Sequence, residues 1–312
     1  MNRPILITGK NSQLALSLNK ILSENHNFFT IKFENNKIDF KNRHQYFFSS
    51  RNELDLSNAK SIQNFFQQNN FAGIINCAAY TNVDLAEKNK LLSEKINFTA
   101  VKLMAEIAYE QDIPLVHIST DYVFGGDNEK PYTESDPAFP KNIYGASKLK
   151  GENSIIESGC NGAIIRTSWL YSEFGNNFLK TMLNLSKNKK IVKVVDDQLG
   201  TPTYSANLAR LLLLFLNNDN IFNILKSKLD IYHYTDEGFC SWYDFAKTIF
   251  ELTETTCKVL PIKSHEYKML AKRPLSNLLS KDKIKDLVPD FHIPHWKTSL
   301  SECLSEFKIN LI

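Results

Sequence analysis

Cysteine is scarce and scattered. The five cysteines (Cys77, Cys160, Cys240, Cys257 and Cys303) form no C-x-x-C pair, which argues against a zinc ribbon or a disulfide framework and fits a reducing cytoplasm. An excess of charge of one sign is missing as well. A net charge of +3, from 37 basic and 34 acidic residues, gives no footprint for nucleic acid or an anionic membrane. The densest basic run, Lys187-Asn188-Lys189-Lys190, reads as a solvated helix end where cations oppose the macrodipole. No apolar run is long enough for a bilayer. Leu211–Leu216 is roughly a third of a span and continues a helical pattern from Ser205, so a buried helix is expected there. The apolar run within Ile5–Gly9 is too short for a signal peptide. No internal repeat or low-complexity segment is visible.

What is present is an ordinary globular composition, 43% hydrophobic and 23% charged over 312 residues, enough for one large α/β unit or a two-part enzyme. Short apolar runs at Ile5–Thr8, Tyr46–Ser49, Gly73–Cys77, Leu115–Ser119 and Ala163–Thr167 read as buried strands. Helical patterns lie between them at Gln13–Ser23, Ser57–Asn69, Leu91–Gln111 and Tyr144–Glu157. This alternation predicts an α/β fold, a Rossmann-type doubly wound parallel sheet with ligands beyond the carboxyl ends of the strands. Glu24–Gln45 is too long for a tight connection and reads as an insertion, an extra hairpin or excursion. Further on, Ile191–Val195 and Ile231–Tyr234 read as strands and Ser241–Leu252 as a capped helix. Residues 1–170 with about 191–226 are expected to bind a dinucleotide; residues 171–190 and 227–312 are expected to form a smaller C-terminal substrate-binding lobe.

The first strand runs into Gly9-Lys10-Asn11-Ser12-Gln13-Leu14-Ala15, with the spacing of G-x-x-G-x-x-G but Ser and Ala at the second and third glycine positions. Gly9 permits the tight turn, and Ala15 is a mild change in a packing role. Ser12 must turn its side chain from a pyrophosphate or bond to it. Small residues in Asn76-Cys77-Ala78-Ala79-Tyr80-Thr81 would let a flat ligand lie against the backbone, and Leu54-Asp55-Leu56 would sit near an adenine. After the second strand, Arg51 stands where an NAD-selective carboxylate is expected. With its neighbouring hydroxyls it suits a 2′-phosphate and favours NADPH over NADH. The plain alternative is a surface arginine.

Tyr144-Gly145-Ala146-Ser147-Lys148 is a Tyr-x-x-x-Lys at a helix start, its two side chains on one face. An ammonium near a phenol lowers the phenol's pKa, as suits a proton donor to a developing alkoxide. Alone, such a pair usually means a surface contact. The context differs here, because the strand through Leu115-Val116-His117-Ile118-Ser119-Thr120 ends in two hydroxyls. Thr120 there could bond a substrate carbonyl oxygen. His117 is expected to alternate away from the site as a buried structural histidine.

Taken together, these segments resemble the extended short-chain dehydrogenase/reductases and, within them, the dTDP-4-dehydrorhamnose reductase family. The resemblance rests on Thr8–Leu14, Asn76–Asp84, Ser119–Phe124, Tyr144–Lys148, Arg166-Thr167-Ser168-Trp169, Asp197–Thr203 and Arg273-Pro274. It implies hydride transfer from NAD(P)H to C4 of a dTDP-4-dehydro-6-deoxysugar, giving dTDP-L-rhamnose. By the same resemblance, Thr120 would polarise the keto oxygen, Tyr144 would protonate it, and Lys148 would anchor the cofactor and tune Tyr144. Asp121 and Trp169 would contact the sugar, and Ser12, Gln13, Leu14, Asp55, Leu56, Ala78, Ala79 and Thr81 would line the cofactor. Some family members dimerise through magnesium. No carboxylate cluster here compels it, His292 and His295 make only a weak pair, and both the metal and the choice of monomer or homodimer stay open. Two rivals stand beside this reading: a non-catalytic nucleotide-binding regulatory subunit, motivated by Ser12 and Ala15, and a reductase or epimerase of another nucleotide-sugar. Retention of Thr120, Tyr144 and Lys148 speaks against the first, and Trp169 with Gln198–Thr203 against the second.

Overall fold

The computed structural model describes residues 3–24, 28–32 and 37–309. Six parallel strands make the central sheet: β1 (Ile5–Thr8), β2 (Tyr46–Ser49), β3 (Gly73–Asn76), β4 (Leu115–Thr120), β5 (Gly162–Thr167) and β6 (Leu229–His233). Their order is β6-β5-β4-β3-β1-β2. The chain leaves β1 first to one side and then to the other, so a switch point lies between β1 and β3.

Alternation along the strands divides the core between the two faces. Ile5 and Ile7 join Leu14, Leu18 and Leu22 of helix α1 (Gln13–Glu24) on one side. Leu6 joins Ile62, Phe65 and Phe66 of helix α2 (Ala59–Gln68) and Val101 and Met104 of helix α3 (Ala100–Glu110) on the other. The leucines of α1 recur every four residues and form one stripe; burying each contributes roughly 1.5–3 kcal/mol. The Leu211–Leu216 run lies inside helix α5 (Ser205–Asn217), where all but Arg210 is buried. That residue instead reaches Glu302 at 2.5 Å. Among the described residues no helix is long and apolar enough to cross a membrane.

Helix α4 (Ile143–Ser158) departs from the amphipathic rule. Its buried positions are small or polar: Tyr144, Gly145, Ser147, Lys148, Gly151, Glu152, Ser154 and Ile155. A Cβ on Gly145 would stand 2.1 Å from the Tyr122 carbonyl oxygen, and one on Gly151 would stand 2.3 Å from that of Asn97. Glycine therefore lets α4 touch backbone on two neighbours. The side chain of Asn142 caps its start by accepting from the Gly145 N–H, and Gly159 at φ +72° ends it.

Several elements differ from the sequence-based expectation. The expected Leu91–Gln111 helix is broken into Lys90–Glu94, a π-helical turn at Lys95–Thr99, and α3. The turn widens where buried Asn97 bonds sideways to the Tyr80 backbone. The strand expected in the lobe at Ile231–Tyr234 forms at Leu229–His233 and is the edge of the main sheet, paired with β5 through Ile231 opposite Ile164. Conversely, Ile191–Val195, expected in the dinucleotide unit, pairs with Lys258–Ile262 in a separate layer. Residues from that layer pack with Tyr171, Leu179, Phe245, Ile249, Trp296 and Leu300 in a core of their own. Apolar strands look alike locally, and only long-range pairing sorts them. In the Glu24–Gln45 insertion, Phe28–Lys32 and Lys37–Lys41 pair antiparallel as a hairpin; residues 25–27 and 33–36 lie outside the described residues. Ser241 does cap Trp242–Leu252, in a reciprocal box with Asp244.

Under α4 lies a buried ion pair. Arg166 Nε is 3.1 Å from Glu152 Oε1 and Arg166 Nη2 is 2.6 Å from Glu152 Oε2. Ser119 Oγ donates to the same carboxylate, and the guanidinium lies 5.0 Å from the Phe124 ring centroid. Removing one partner leaves the other charge uncompensated. Arg166→Met is expected to lower the unfolding free energy in urea by about 3–5 kcal/mol, and the double variant Glu152→Met/Arg166→Met by clearly less. Equal losses in the single and double variants would contradict this.

Candidate active site

The carboxyl ends of β1, β3, β4 and β5 bring Thr8, Asn76, Thr120 and Thr167 to one edge of the sheet. Thr120 closes β4, and its Oγ1 accepts from the Tyr122 N–H at 3.2 Å while donating to Asp121 Oδ1 at 3.1 Å. Tyr144, in the first turn of α4, is buried and meets Tyr122 edge-to-face at 5.7 Å. Burial pushes its phenol up, the Thr120 hydroxyl bonded to it pulls partly back, and Asp121 and Tyr122 push it further up. Lys148, one turn on, is 1% exposed. Its Nζ donates to the Ile118 carbonyl at 2.7 Å and lies 2.9 Å from His117 Nε2. Burial lowers this lysine to about 8 against the opposing pull of Glu152.

Thr120, Tyr144 and Lys148 are therefore gathered at one strand end, with two corrections. The phenol is raised and not lowered, because burial dominates and the Lys148 ammonium is committed to β4. His117 is buried as expected, yet its ring faces Lys148 and does not turn away from it. The raised phenol is protonated before reaction, as a proton donor must be.

The expected cofactor residues sort into several groups. Gly9 holds φ +70°, and a Cβ there would meet Ala78 at 3.0 Å, so the first turn and the loop after β3 lie almost in contact. Ser12 caps α1, its Oγ accepting from the Ala15 N–H at 3.2 Å. Its hydroxyl thus takes one of the helix's free amides. Gln13 turns to the lobe, accepting from Ser172 and Asn177. The side chains of Leu14 and Leu56 are buried in the two cores and not presented to a ligand. Asp55 accepts from the Ser57 N–H and Oγ, and Arg51, 75% exposed, lies 3.6 Å from it. Ala79 is half-buried and Thr81 exposed beside Tyr80. The Tyr80 backbone is held on both sides by Asn97, at 2.8 and 3.0 Å.

On the substrate side, Asp121 is buried, and its carbonyl oxygen accepts from Asn277 at 2.8 Å. Trp169 adopts φ +46°, strained for an aromatic residue, and stacks on Trp242 with centroids 3.5 Å apart. It also abuts Gly200. One indole face expected for a sugar is therefore taken by another indole. Of the weak histidine pair, His295 Nδ1 accepts from the Lys297 N–H at 3.2 Å.

Three residues that hold the site together were given no role from sequence, although Asp84 and Arg273 lie in segments that carry the resemblance. Asn97 ties Tyr80 to Ser147 of α4; a buried asparagine inside an apolar helix pattern was the available signal. Asp84 accepts from the Leu270 and Ala271 amides and from Arg273 Nη2, tying the Leu270–Arg273 loop to the site. Arg273 Nε, also buried, has no protein partner.

Burial raises Asp121 to about 7, opposed by bonds from Thr120 and Asn277. A carboxyl raised above its unfolded value contributes stability at low pH that is lost as pH climbs from about 4 through 7. Asp121→Asn is therefore expected to gain stability relative to the parent between pH 5 and pH 8, measured by urea denaturation at both. A difference that does not change with pH would rule out the raised carboxyl.

Among known proteins, a family model described as the RmlD substrate binding domain matches residues 1–309. A protein of Aggregatibacter actinomycetemcomitans named dTDP-4-dehydrorhamnose reductase is 37% identical over 287 residues, 90% of this chain and 92% of that one. The crystal structure of a dTDP-4-dehydrorhamnose reductase from Clostridium acetobutylicum superposes with a TM-score of 0.84 at 37% identity, covering 98% of this chain and 99% of the other. One from Bacillus anthracis, in complex with NADP, gives 0.84 at 35% identity, covering 98% and 100%. With Thr120, Tyr144 and Lys148 gathered at a strand end and the match running almost the whole length, the chain belongs to the RmlD substrate binding domain family.

Proposed function

We propose that this protein reduces the C4 keto group of dTDP-4-dehydro-6-deoxy-L-mannose to dTDP-L-rhamnose with NAD(P)H, the last step of dTDP-rhamnose formation. The observation that carries the reading is Tyr144 buried at the strand end beside Thr120, with Lys148 one turn away on the same helix. The names of the relatives support the substrate, and the NADP complex of one supports the cofactor.

The residues present fit a dinucleotide. Gly9 keeps a side chain out of the space beside Ala78, and the buried Ser49 and Thr167 hydroxyls at the ends of β2 and β5 have no protein partner. Gly9 and the backbone of Ser12 and Gln13 would face the phosphates, and Ala78, Ala79, Tyr80 and Thr81 the flat groups, with Lys148 towards the nicotinamide ribose. A nicotinamide held there would supply a hydride to the carbonyl carbon. Thr120 exchanges its bond to Asp121 for one to the keto oxygen, where it steadies the growing negative charge. Tyr144 gives its phenolic proton to that oxygen and regains one from solvent. Burial of Tyr144, Asp121 and Lys148 keeps water from weakening these interactions. Asp121 and Trp169 would orient the sugar. Free thiols at all five cysteines support a reducing compartment.

Tyr144→Phe keeps the ring and removes the proton. Turnover, followed as NADPH oxidation with the enzymatically generated keto sugar, is expected to fall by about 10²–10⁴-fold, with NADPH affinity unchanged. Cofactor binding without turnover in the parent protein would instead favour a regulatory subunit. The preference for NADPH rests on Arg51, which is exposed and able to leave Asp55 for a 2′-phosphate. Arg51→Ala is expected to raise the KM for NADPH about tenfold and leave that for NADH in place; equal effects on both would remove this role.

A further inference from the structure

His117 is a buried ring between two partners. Its Nε2 is 2.9 Å from Lys148 Nζ and its Nδ1 is 3.0 Å from Asn76 Nδ2. Asn76 Oδ1 is bonded at 2.6 Å by Thr8 Oγ1, which in turn accepts from the Ala78 N–H at 3.2 Å. One unbroken chain therefore runs from the loop after β3, across the ends of β1 and β3, to the lysine of α4. Among the described residues Lys148 has one further bond, to the Ile118 carbonyl.

We propose that His117 is a positioning residue for the reduction, holding the Lys148 nitrogen through Nε2 and favouring its ammonium over its amine. This rests on the function proposed above. The chemistry follows from the donors and acceptors available. An ammonium has only hydrogens to offer, so beside it Nε2 must accept. The ring proton then sits on Nδ1, and the Asn76 carboxamide, whose Nδ2 is the atom facing Nδ1 in the structure, turns over to present its oxygen there. With a neutral amine the chain runs the other way: Thr8 Oγ1 donates to Asn76 Oδ1, Asn76 Nδ2 donates to Nδ1, and Nε2–H donates to the amine. A bond from an ammonium is roughly twice as strong as a neutral one, so the histidine favours the charged lysine. Burial and the Lys148 charge both keep His117 itself neutral.

The other charged and titratable groups around Lys148 act from known places. Glu152, one turn on along α4, supports the ammonium, while Arg166 of β5 pairs with that carboxylate. Tyr144 stands one turn back, and Asp121 follows β4. Of these elements, β4 supplies both direct bonds to the nitrogen.

The test compares three variants of the full chain. His117→Leu removes both ring nitrogens. His117→Asn reaches Asn76 but not Lys148, and His117→Gln reaches Lys148. The charge on Lys148 is read without cofactor or substrate from the Nζ resonance of [¹⁵N]lysine-labelled protein across pH, assigned with Lys148→Met. His117→Leu and His117→Asn are expected to lower the Lys148 midpoint by about one unit, with His117→Gln close to the parent. In the reductase assay the alkaline limb of the kcat/KM profile, which falls as the ammonium is lost, should move to lower pH by the same amount. The first two variants should also lose about 10–100-fold in kcat, with little change in KM for the sugar. An unchanged midpoint in His117→Asn overturns the proposal. So does an equal loss in His117→Gln and His117→Asn with no movement of the pH limb, which would make His117 a packing residue. If His117→Leu does not fold, the Asn and Gln pair decides. If the parent turns over no keto sugar, the proposed function fails, while the Nζ midpoints still judge His117.

Discussion

Helix α4 lies so close to its neighbours that two of its positions admit no side chain. Gly145 faces the Tyr122 carbonyl and Gly151 that of Asn97, at distances where a methyl group would collide with oxygen. This approach brings Tyr144, Lys148 and Glu152, spaced four apart, against the end of β4 as one buried stripe. A helix ordinarily buries leucines on such a stripe. Here the stripe carries a phenol, an amine and a carboxylate, and the surrounding structure supplies partners for each.

The partners decide the electrostatics. Glu152 is matched by Arg166 and Ser119 inside the core. Lys148 keeps two partners on β4 and is lowered to about 8, because desolvation exceeds what Glu152 returns. Tyr144 and Asp121 shift upward for the same reason. Burial therefore biases the site toward its neutral forms, which suits the proposed gift of a phenolic proton from Tyr144.

The cofactor side is built more by backbone than by side chains. Gly9 supplies the left-handed turn and Asn97 fixes the Tyr80 backbone. Ser12 satisfies a helix amide, and this accounts for serine at a position where glycine was expected: its hydroxyl has work in the protein itself. The π-helical turn at Lys95–Thr99 has a similar logic, since widening the helix lets Asn97 serve Tyr80 and Ser147 together.

Periodicity and local chemistry determined much of this protein. The strands of β1 to β5, the capped helix after Ser241, the buried run at Leu211–Leu216 and the Thr120–Tyr144–Lys148 set were all legible, because each depends on residues near in sequence. The partition of strands was not. Leu229–His233 and Ile191–Val195 carry similar apolar patterns, and pairing with β5 or with Lys258–Ile262 assigns them to different layers. Likewise His117 was expected to turn away from the site, but which side chain it would meet depended on the depth of α4. Lys148 comes from 31 residues away to meet it, and burial, a property of the whole fold, decided which groups hold their protons.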